Sequence, residues 1–124
     1  MKVLLIDDEE DIRKVALLSL EAVGKFEARC AASAAEGLAA ARADRPDVIL
    51  LDMMMPTVDG LTALTQFRQT PQLETVPVII MSARIQAGEQ EQWIQKGAAG
   101  VIRKPFDPMT LPNEFRRIVE GTRS

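Results

Sequence analysis

Residues 48–52, Val-Ile-Leu-Leu-Asp, decide the fold, because four large aliphatic side chains run directly into an acid. A short continuous apolar run of this kind is typical of a strand buried on both faces of a sheet. Residues 3–6, Val-Leu-Leu-Ile, lead into Asp7 in the same way, and residues 78–81, Val-Ile-Ile-Met, lead into Ser82. The sequence therefore predicts at least three buried strands, each of which ends at a polar side chain.

Helical patterns separate these runs. From Glu9 to about Val23, apolar residues recur at helical spacing before Gly24 supplies a stop: Ile12, Val15, Leu18 (or the adjacent Leu17) and Ala22. Ser33 and Glu36 have the spacing of a capping box and open an Ala-rich helix that ends before Pro46. Further helices are predicted over residues 61–68, 86–96 and 109–120, and weaker strands over residues 25–31 and 101–102.

Five strands that alternate with five helices indicate an α/β fold in a single domain over residues 1–124. Near-continuous apolar strands predict a doubly wound, five-stranded parallel sheet between two helical layers, a three-layer sandwich. In such sheets functional groups collect beyond the carboxyl ends of the strands. That edge is where a site is expected.

Composition excludes several classes of function. The net charge is −3 with no basic stripe, and the pair Arg116 and Arg117 is more typical of a solvated helix face, so direct nucleic-acid binding is not expected. Cys30 is the only cysteine and histidine is absent, which excludes an internal disulfide and His-based catalysis within the chain. The apolar run before Asp7 is too short for a signal peptide or a membrane span, so we expect a cytoplasmic protein.

The polar residues after the strands predict a metal site. Asp7, Asp8, Asp52, Ser82 and Lys104 should converge at one edge of the sheet. Neighbouring carboxylates repel each other by about 3–4 kcal/mol per pair at ~4–5 Å and an effective dielectric near 20, and one lysine does not offset three of them. The carboxylates must therefore take up protons or bind a divalent cation. Oxygen ligands without His or Cys favour Mg²⁺, with Mn²⁺ or Ca²⁺ as other hard cations.

The same residues fit phosphoryl transfer. A carboxylate such as Asp52 can act as a nucleophile toward phosphorus and form an acyl phosphate. Lys104 and the cation would neutralise the transferring group, and Ser82 could donate a hydrogen bond to one of its oxygens.

The chain resembles the receiver domains of two-component response regulators over essentially its full length, a flavodoxin-like fold. The resemblance rests on an ordered set of residues at the strand ends: Asp7-Asp8, Asp52, Met55-Pro56 with Asp59-Gly60, Ser82-Ala83, and Lys104-Pro105-Phe106. Any one of these pieces would be weak evidence. Their order and their positions together are specific.

The resemblance implies a role for each matching residue. Asp52 is implied as the phosphoacceptor, Asp7, Asp8, Asp52 and the Met54 carbonyl as metal ligands with Asp8 the more direct, and Lys104, Ser82 and Ala83 as the phosphoryl-contacting set. The bond before Pro105 is expected to be cis. Met54 and Arg84, two positions beyond Asp52 and Ser82, are expected to tune the lifetime of the phosphoryl group.

The resemblance also implies partners. The phosphoryl donor would be a sensor histidine kinase or a histidine phosphotransfer protein, and the output a downstream protein target or an attached output domain. The fourth helix, fifth strand and fifth helix would form the surface that changes. Ser82 would be the switch hydroxyl, but Val101 stands where the family commonly has Tyr or Phe, so the switch would move mainly the loop after Ser82 and the next helix. Trp93, in that helix, is expected to pack against the sheet rather than contact a partner.

Two enzyme or cofactor functions compete with this interpretation. An aspartyl-nucleophile phosphatase usually has a general acid two residues after the nucleophile, where this chain has Met54. A flavin-binding protein needs a first loop that cradles phosphate, whereas residues 7–11, Asp-Asp-Glu-Glu-Asp, repel anions. A further alternative keeps the fold and treats the chain as a receiver cut from a longer regulator or hybrid kinase.

Overall fold

The computed structural model describes residues 1–55 and 58–123, without the side chains of residues 122 and 123. Pro56, one of the residues that carry the resemblance, lies outside this part of the chain. Five parallel strands form one sheet in the order β2-β1-β3-β4-β5. The strands are β1 (Lys2–Ile6), β2 (Glu27–Ala31), β3 (Val48–Asp52), β4 (Val78–Ser82) and β5 (Gly100–Arg103). The helices are α1 (Glu10–Leu18), α2 (Ala34–Ala43), α3 (Gly60–Gln69), α4 (Glu89–Gln95) and α5 (Leu111–Arg123).

The core lies on both faces of the sheet, as continuous apolar strands require. Alternate side chains of β1, β3 and β4 pack on one face against α2, α3 and α4, whose contributions include Phe67 and Trp93. The other set packs against α1 and α5, with Leu20 and Phe115 among the partners. This arrangement confirms the three-layer α/β sandwich, and the burial of Trp93 agrees with ordinary packing against the sheet.

Helix α1 exists where predicted, but its buried face is not the one that the spacing suggested. Ala16 and Leu20 are buried, whereas Val15, Ala22 and above all Leu18, with 68% of its surface exposed, face outward. Beyond α1, residues Ser19–Val23 continue as a π-helix that is followed by Gly24. Because apolar residues occupy two adjacent faces of this helix, the spacing alone did not identify the face that meets the sheet.

Helix α4 begins three residues later than predicted. The predicted helix over residues 86–96 includes Gly88 in its interior, but in the structure Gly88 precedes the first turn, with φ of +86°. That left-handed conformation favours glycine, so Gly88 opens the helix instead of weakening its middle.

Two helix starts follow the side-chain chemistry that the sequence offers. Glu36 N–H donates to Ser33 Oγ at 3.1 Å, and the Glu36 carboxylate accepts from Ala32 N–H at 2.9 Å. Asp59 Oδ1 accepts from Thr62 N–H at 2.8 Å and caps α3. The capping box at Ser33 is confirmed, and Asp59 has a structural role at the start of α3. The described part of the chain contains no helix that is long and apolar enough to cross a membrane.

Candidate functional site

Three polar side chains at strand ends are buried, against the usual preference of such residues for the surface. Asp7 follows β1 and is fully buried, Asp52 ends β3 with 2% exposure, and Ser82 ends β4 with 1%. The parallel register pairs Asp52 with Met81, next to Ser82. The sheet itself therefore sets the spacing of these groups.

Lys104, after β5, reaches into this group of acids. Its Nζ lies 2.7 Å from Asp7 Oδ2 and 3.2 Å from Asp52 Oδ1. Its backbone N–H donates to Ser82 O at 2.9 Å, which extends the β4–β5 pairing to the site. The bond to Pro105 that follows is cis, as expected.

Asp7 is fixed by the loop that it opens. Its backbone N–H donates to Ala31 O at 3.1 Å, and its Oδ1 accepts from Glu9 N–H at 2.9 Å. Arg13 donates to Asp7 O at 2.8 Å from the next helix. The carboxylate is thus held on one oxygen while the other faces Lys104.

Asp52 is held on one side only. Its Oδ1 accepts from Met54 N–H at 3.3 Å and pairs with Lys104, whereas Oδ2 is buried and receives no hydrogen bond from residues 1–55 or 58–123. A buried carboxylate oxygen without a donor is costly, so this atom favours an incoming positive or electrophilic group.

Ser82 points into its own turn. Its Oγ donates to Arg84 O at 2.7 Å and accepts from Arg84 N–H at 3.3 Å. Before the hydroxyl could donate to any other group, it would have to release the Arg84 carbonyl. Ala83 and Arg84 are exposed beside it, and Met54 is exposed beside Asp52.

Burial and charge set the protonation of the site. Burial, together with the Asp7 charge, raises the pKa of Asp52 to about 6, even though Lys104 and the Met54 N–H lower it. Burial alone would lower the pKa of Lys104, but the adjacent Asp7 and Asp52 outweigh it and the pKa is raised. Lys104 therefore stays charged while Asp52 holds its proton unusually tightly.

The acids form a set that suits a hard divalent cation. Asp7, Asp8, Glu9 and Asp52 each offer a carboxylate oxygen, and these atoms lie within 4.8 Å of one another. Among the described residues, Lys104 is the one basic side chain that is ion-paired to them. Oxygen donors in excess of positive charge, together with the unpartnered Asp52 Oδ2, fit Mg²⁺.

Sequence reasoning missed Glu9. Its Oε1 lies 3.7 Å from Lys104 Nζ, so the site holds one acid more than predicted. The signal was present in the run of acids at residues 7–11, but strand-end position selected only the first two. Val101, the residue at the expected switch position, is half-buried and packs against the core on the α2–α4 side of the sheet.

Known proteins share this architecture. The family profile of the response regulator receiver domain matches residues 3–116. The chain is 33% identical over 119 residues to response regulator Rre1 of Synechocystis, covering 96% of this chain and 52% of that protein. It is 36% identical over 117 residues to transcriptional regulatory protein CseB of Streptomyces coelicolor, covering 94% and 48%. The chain thus spans about half the length of these curated relatives.

Solved structures agree with the sequence relatives. Chemotaxis protein CheY4 of Vibrio cholerae has a TM-score of 0.87 at 32% identity, covering 94% of this chain and 97% of that one. The receiver domain of Francisella response regulator 1452 has a TM-score of 0.85 at 28% identity, covering 98% of each chain. With a family match over nearly its whole length, the chain belongs to the response regulator receiver domains, the signalling switches of two-component systems.

Proposed function

We propose that Asp52 accepts a phosphoryl group in a Mg²⁺-dependent reaction and that the phosphorylated chain controls a partner protein. The observation that carries this proposal is the state of Asp52: a buried carboxylate with one oxygen held by Lys104 and Met54 N–H and the other without a hydrogen bond. Most buried carboxylate oxygens in proteins have a hydrogen-bond partner, so this exception supports a role in binding an incoming group.

The transfer itself needs little from the chain beyond position and charge. A carboxylate oxygen of Asp52 attacks the phosphorus of a phosphohistidine, an O–P bond forms, and the P–N bond breaks. The electron pair of the broken bond stays on the imidazole nitrogen, which a proton from solvent can neutralise. Lys104, within 3.2 Å of Asp52 Oδ1, stabilises the negative charge on the transferring oxygens.

The remaining residues would hold or admit the phosphoryl group. Mg²⁺ would be held by Asp7, Asp8, Asp52 and the Met54 carbonyl. Its positive charge would offset the negative charge of the phosphoryl oxygens. Ser82 would release the Arg84 carbonyl and donate to a phosphoryl oxygen, while the small Ala83 leaves access to it. Exposed Met54 and Arg84 would tune how readily water reaches the product.

The output would pass through α4, β5 and α5. Residues 83–88, between β4 and α4, contain no regular helix, and both backbone groups of Arg84 bond to the Ser82 hydroxyl, so a movement of Ser82 would act directly on this segment. Val101 is β-branched and half-buried, and it cannot sweep the volume of an aromatic ring. We therefore place the change mainly in residues 83–88 and α4. Unchanged amide chemical shifts there on addition of a phosphoryl mimic would contradict this placement.

The partners and setting follow from the family. A sensor histidine kinase or histidine phosphotransfer protein would supply the phosphoryl group, and the chain would catalyse its own phosphorylation and dephosphorylation without turning over a separate substrate. Coverage of about half of the curated relatives favours, as the alternative, a receiver module that works within a longer regulator or hybrid kinase. The cytoplasmic location expected from the sequence stays a prediction.

Intact mass after incubation with acetyl phosphate and Mg²⁺ tests the proposal. We expect a single phosphoryl adduct on the wild-type protein and none on Asp52→Asn or when Mg²⁺ is removed by a chelator. Asp59→Asn is the matched control, because Asp59 is an exposed helix cap outside the acid cluster, and it should keep the adduct. An adduct that survives in Asp52→Asn would assign the chemistry to another residue.

A further inference from the structure

Glu9 occupies the position before α1 without acting as its cap. Residues at this position commonly accept a hydrogen bond from the first turn of the helix, and here no side-chain cap forms. The Glu9 backbone N–H instead donates to Asp7 Oδ1, and its carboxylate turns toward Lys104, 3.7 Å from Nζ. The loop that positions Asp7 therefore also positions Glu9.

Glu9 differs from the buried acids in its exposure. Its side chain is 61% exposed, whereas those of Asp7 and Asp52 are 0% and 3% exposed, so it lies at the solvent rim of the cluster. A second observation points to a cation at the same place: Asp52 Oδ2 is buried there without a hydrogen bond from the described residues.

We propose that Glu9 is a fourth acidic residue of the divalent-cation site, acting from the rim on a water that the cation retains. Mg²⁺ dehydrates reluctantly and keeps several waters, so an exposed carboxylate near the inner acids would accept a hydrogen bond from one of them when the cation is bound. Its negative charge also adds to the attraction that the cation experiences. This inference rests on the metal-binding part of the proposed function and requires no phosphoryl transfer.

Direct Mg²⁺ binding, measured by isothermal titration calorimetry without any phosphodonor, tests the proposal. Glu9 is partly exposed, so solvent screens its charge and limits the effect of removing it. We expect Glu9→Gln to weaken Mg²⁺ binding about five- to tenfold. Glu9→Asp keeps the charge and should lose less. Circular dichroism of each variant reports whether the fold is retained.

Glu10→Gln is the matched control. It removes the same charge one residue further along, where Glu10 pairs with Lys14 at 3.2 Å and lies outside the cluster. We expect less than a twofold change. Equal weakening of Mg²⁺ binding in the two variants would mean that the effect comes from general surface charge, and it would overturn the proposal. Unchanged or tighter Mg²⁺ binding in Glu9→Gln would also overturn it. Wild-type protein that binds no Mg²⁺ would contradict the proposed function itself, an outcome distinct from the failure of Glu9 alone.

Discussion

The two ends of the sheet differ in how their charged side chains are buried and paired. At the carboxyl end, four carboxylates lie close together, two of them are buried, and one lysine among the described residues is ion-paired to three of them. At the amino end, the ion pairs are open to solvent, and two basic side chains share one exposed acid. Lys2 Nζ lies 3.0 Å from Asp44 Oδ1, and Arg29 lies 3.8 Å from Asp44 Oδ2.

Basic side chains at the amino end also satisfy the backbone. Arg45 donates to Gln72 O at 2.8 Å and to Thr75 Oγ1 at 3.1 Å. Arg68 donates to the carbonyls of Glu74 and Val76, which terminate the loop before β4. Each contact fixes a loop through neutral acceptors rather than through an acid.

The contrast separates a site from a scaffold. Ion pairs that are open to solvent contribute little to stability and attract no particular ligand. A buried excess of negative charge costs stability in the free protein and is relieved by a cation or by protons. Under the proposed function, the carboxyl end is where stability of the free protein is lowered in favour of ligand binding, a relation common at functional sites.

Removing the lysine of the carboxyl end should have the largest effect on stability. Lys104→Met leaves Asp7 and Asp52 buried without their cationic partner. We expect the free energy of unfolding at neutral pH, without divalent metal, to fall by about 3–5 kcal/mol, as for other broken buried pairs. Urea denaturation measures this, and Mg²⁺ should restore part of the loss. A decrease below ~1 kcal/mol would show that the unpaired buried carboxylates do not destabilise the folded state.

A change of pH should have the next largest effect on the free energy of unfolding. The pKa of Asp52 is raised to about 6 in the folded protein, above the ordinary value of 3.8, so the folded state binds the proton more tightly than the unfolded state. The contribution of Asp52 to the free energy of unfolding is then most favourable below pH ~4. It is lost as the pH rises through about 6, and the loss amounts to about 3 kcal/mol.

Asp52→Asn isolates this contribution from the other acids. In the presence of a chelator, the difference in unfolding free energy between Asp52→Asn and the wild type should grow from about pH 4 to pH 7 in favour of the variant. Chemical denaturation at a series of pH values measures it. A difference that does not vary with pH would mean that Asp52 titrates normally.

The smallest effect is expected at the amino end. Lys2→Met removes an exposed ion pair with Asp44 while keeping most of the side-chain volume. The midpoint of thermal unfolding should stay within the reproducibility of the measurement, with or without Mg²⁺. A loss comparable to that of Lys104→Met would remove the contrast between the two ends.

Much of the site could be predicted because strand ends are easy to locate. Asp7, Asp52 and Ser82 end continuous apolar runs, and the parallel sheet then brings them together without further information. The fold followed from the same runs and from the alternation of strands with helices. Lys104 could be placed because it follows the last, shortest strand.

What the sequence did not disclose depends on tertiary packing. Apolar residues on two faces of α1 left its buried side undecided until the sheet and α5 were in place, and Leu18 ended outside. Gly88 was compatible with a helix interior, but its backbone at φ of +86° makes it the start. Glu9 approaches Lys104 only because the loop folds back through Asp7.

Chemical mapping of the phosphorylated residue tests the central claim most directly. Borohydride reduces an acyl phosphate to the alcohol, so a phosphorylated aspartate becomes homoserine, which tandem mass spectrometry of peptides locates. After treatment with acetyl phosphate and Mg²⁺, the account predicts homoserine at position 52 and aspartate at positions 7, 8, 47 and 59. Homoserine at any of those other positions, with Asp52 unmodified, would contradict it.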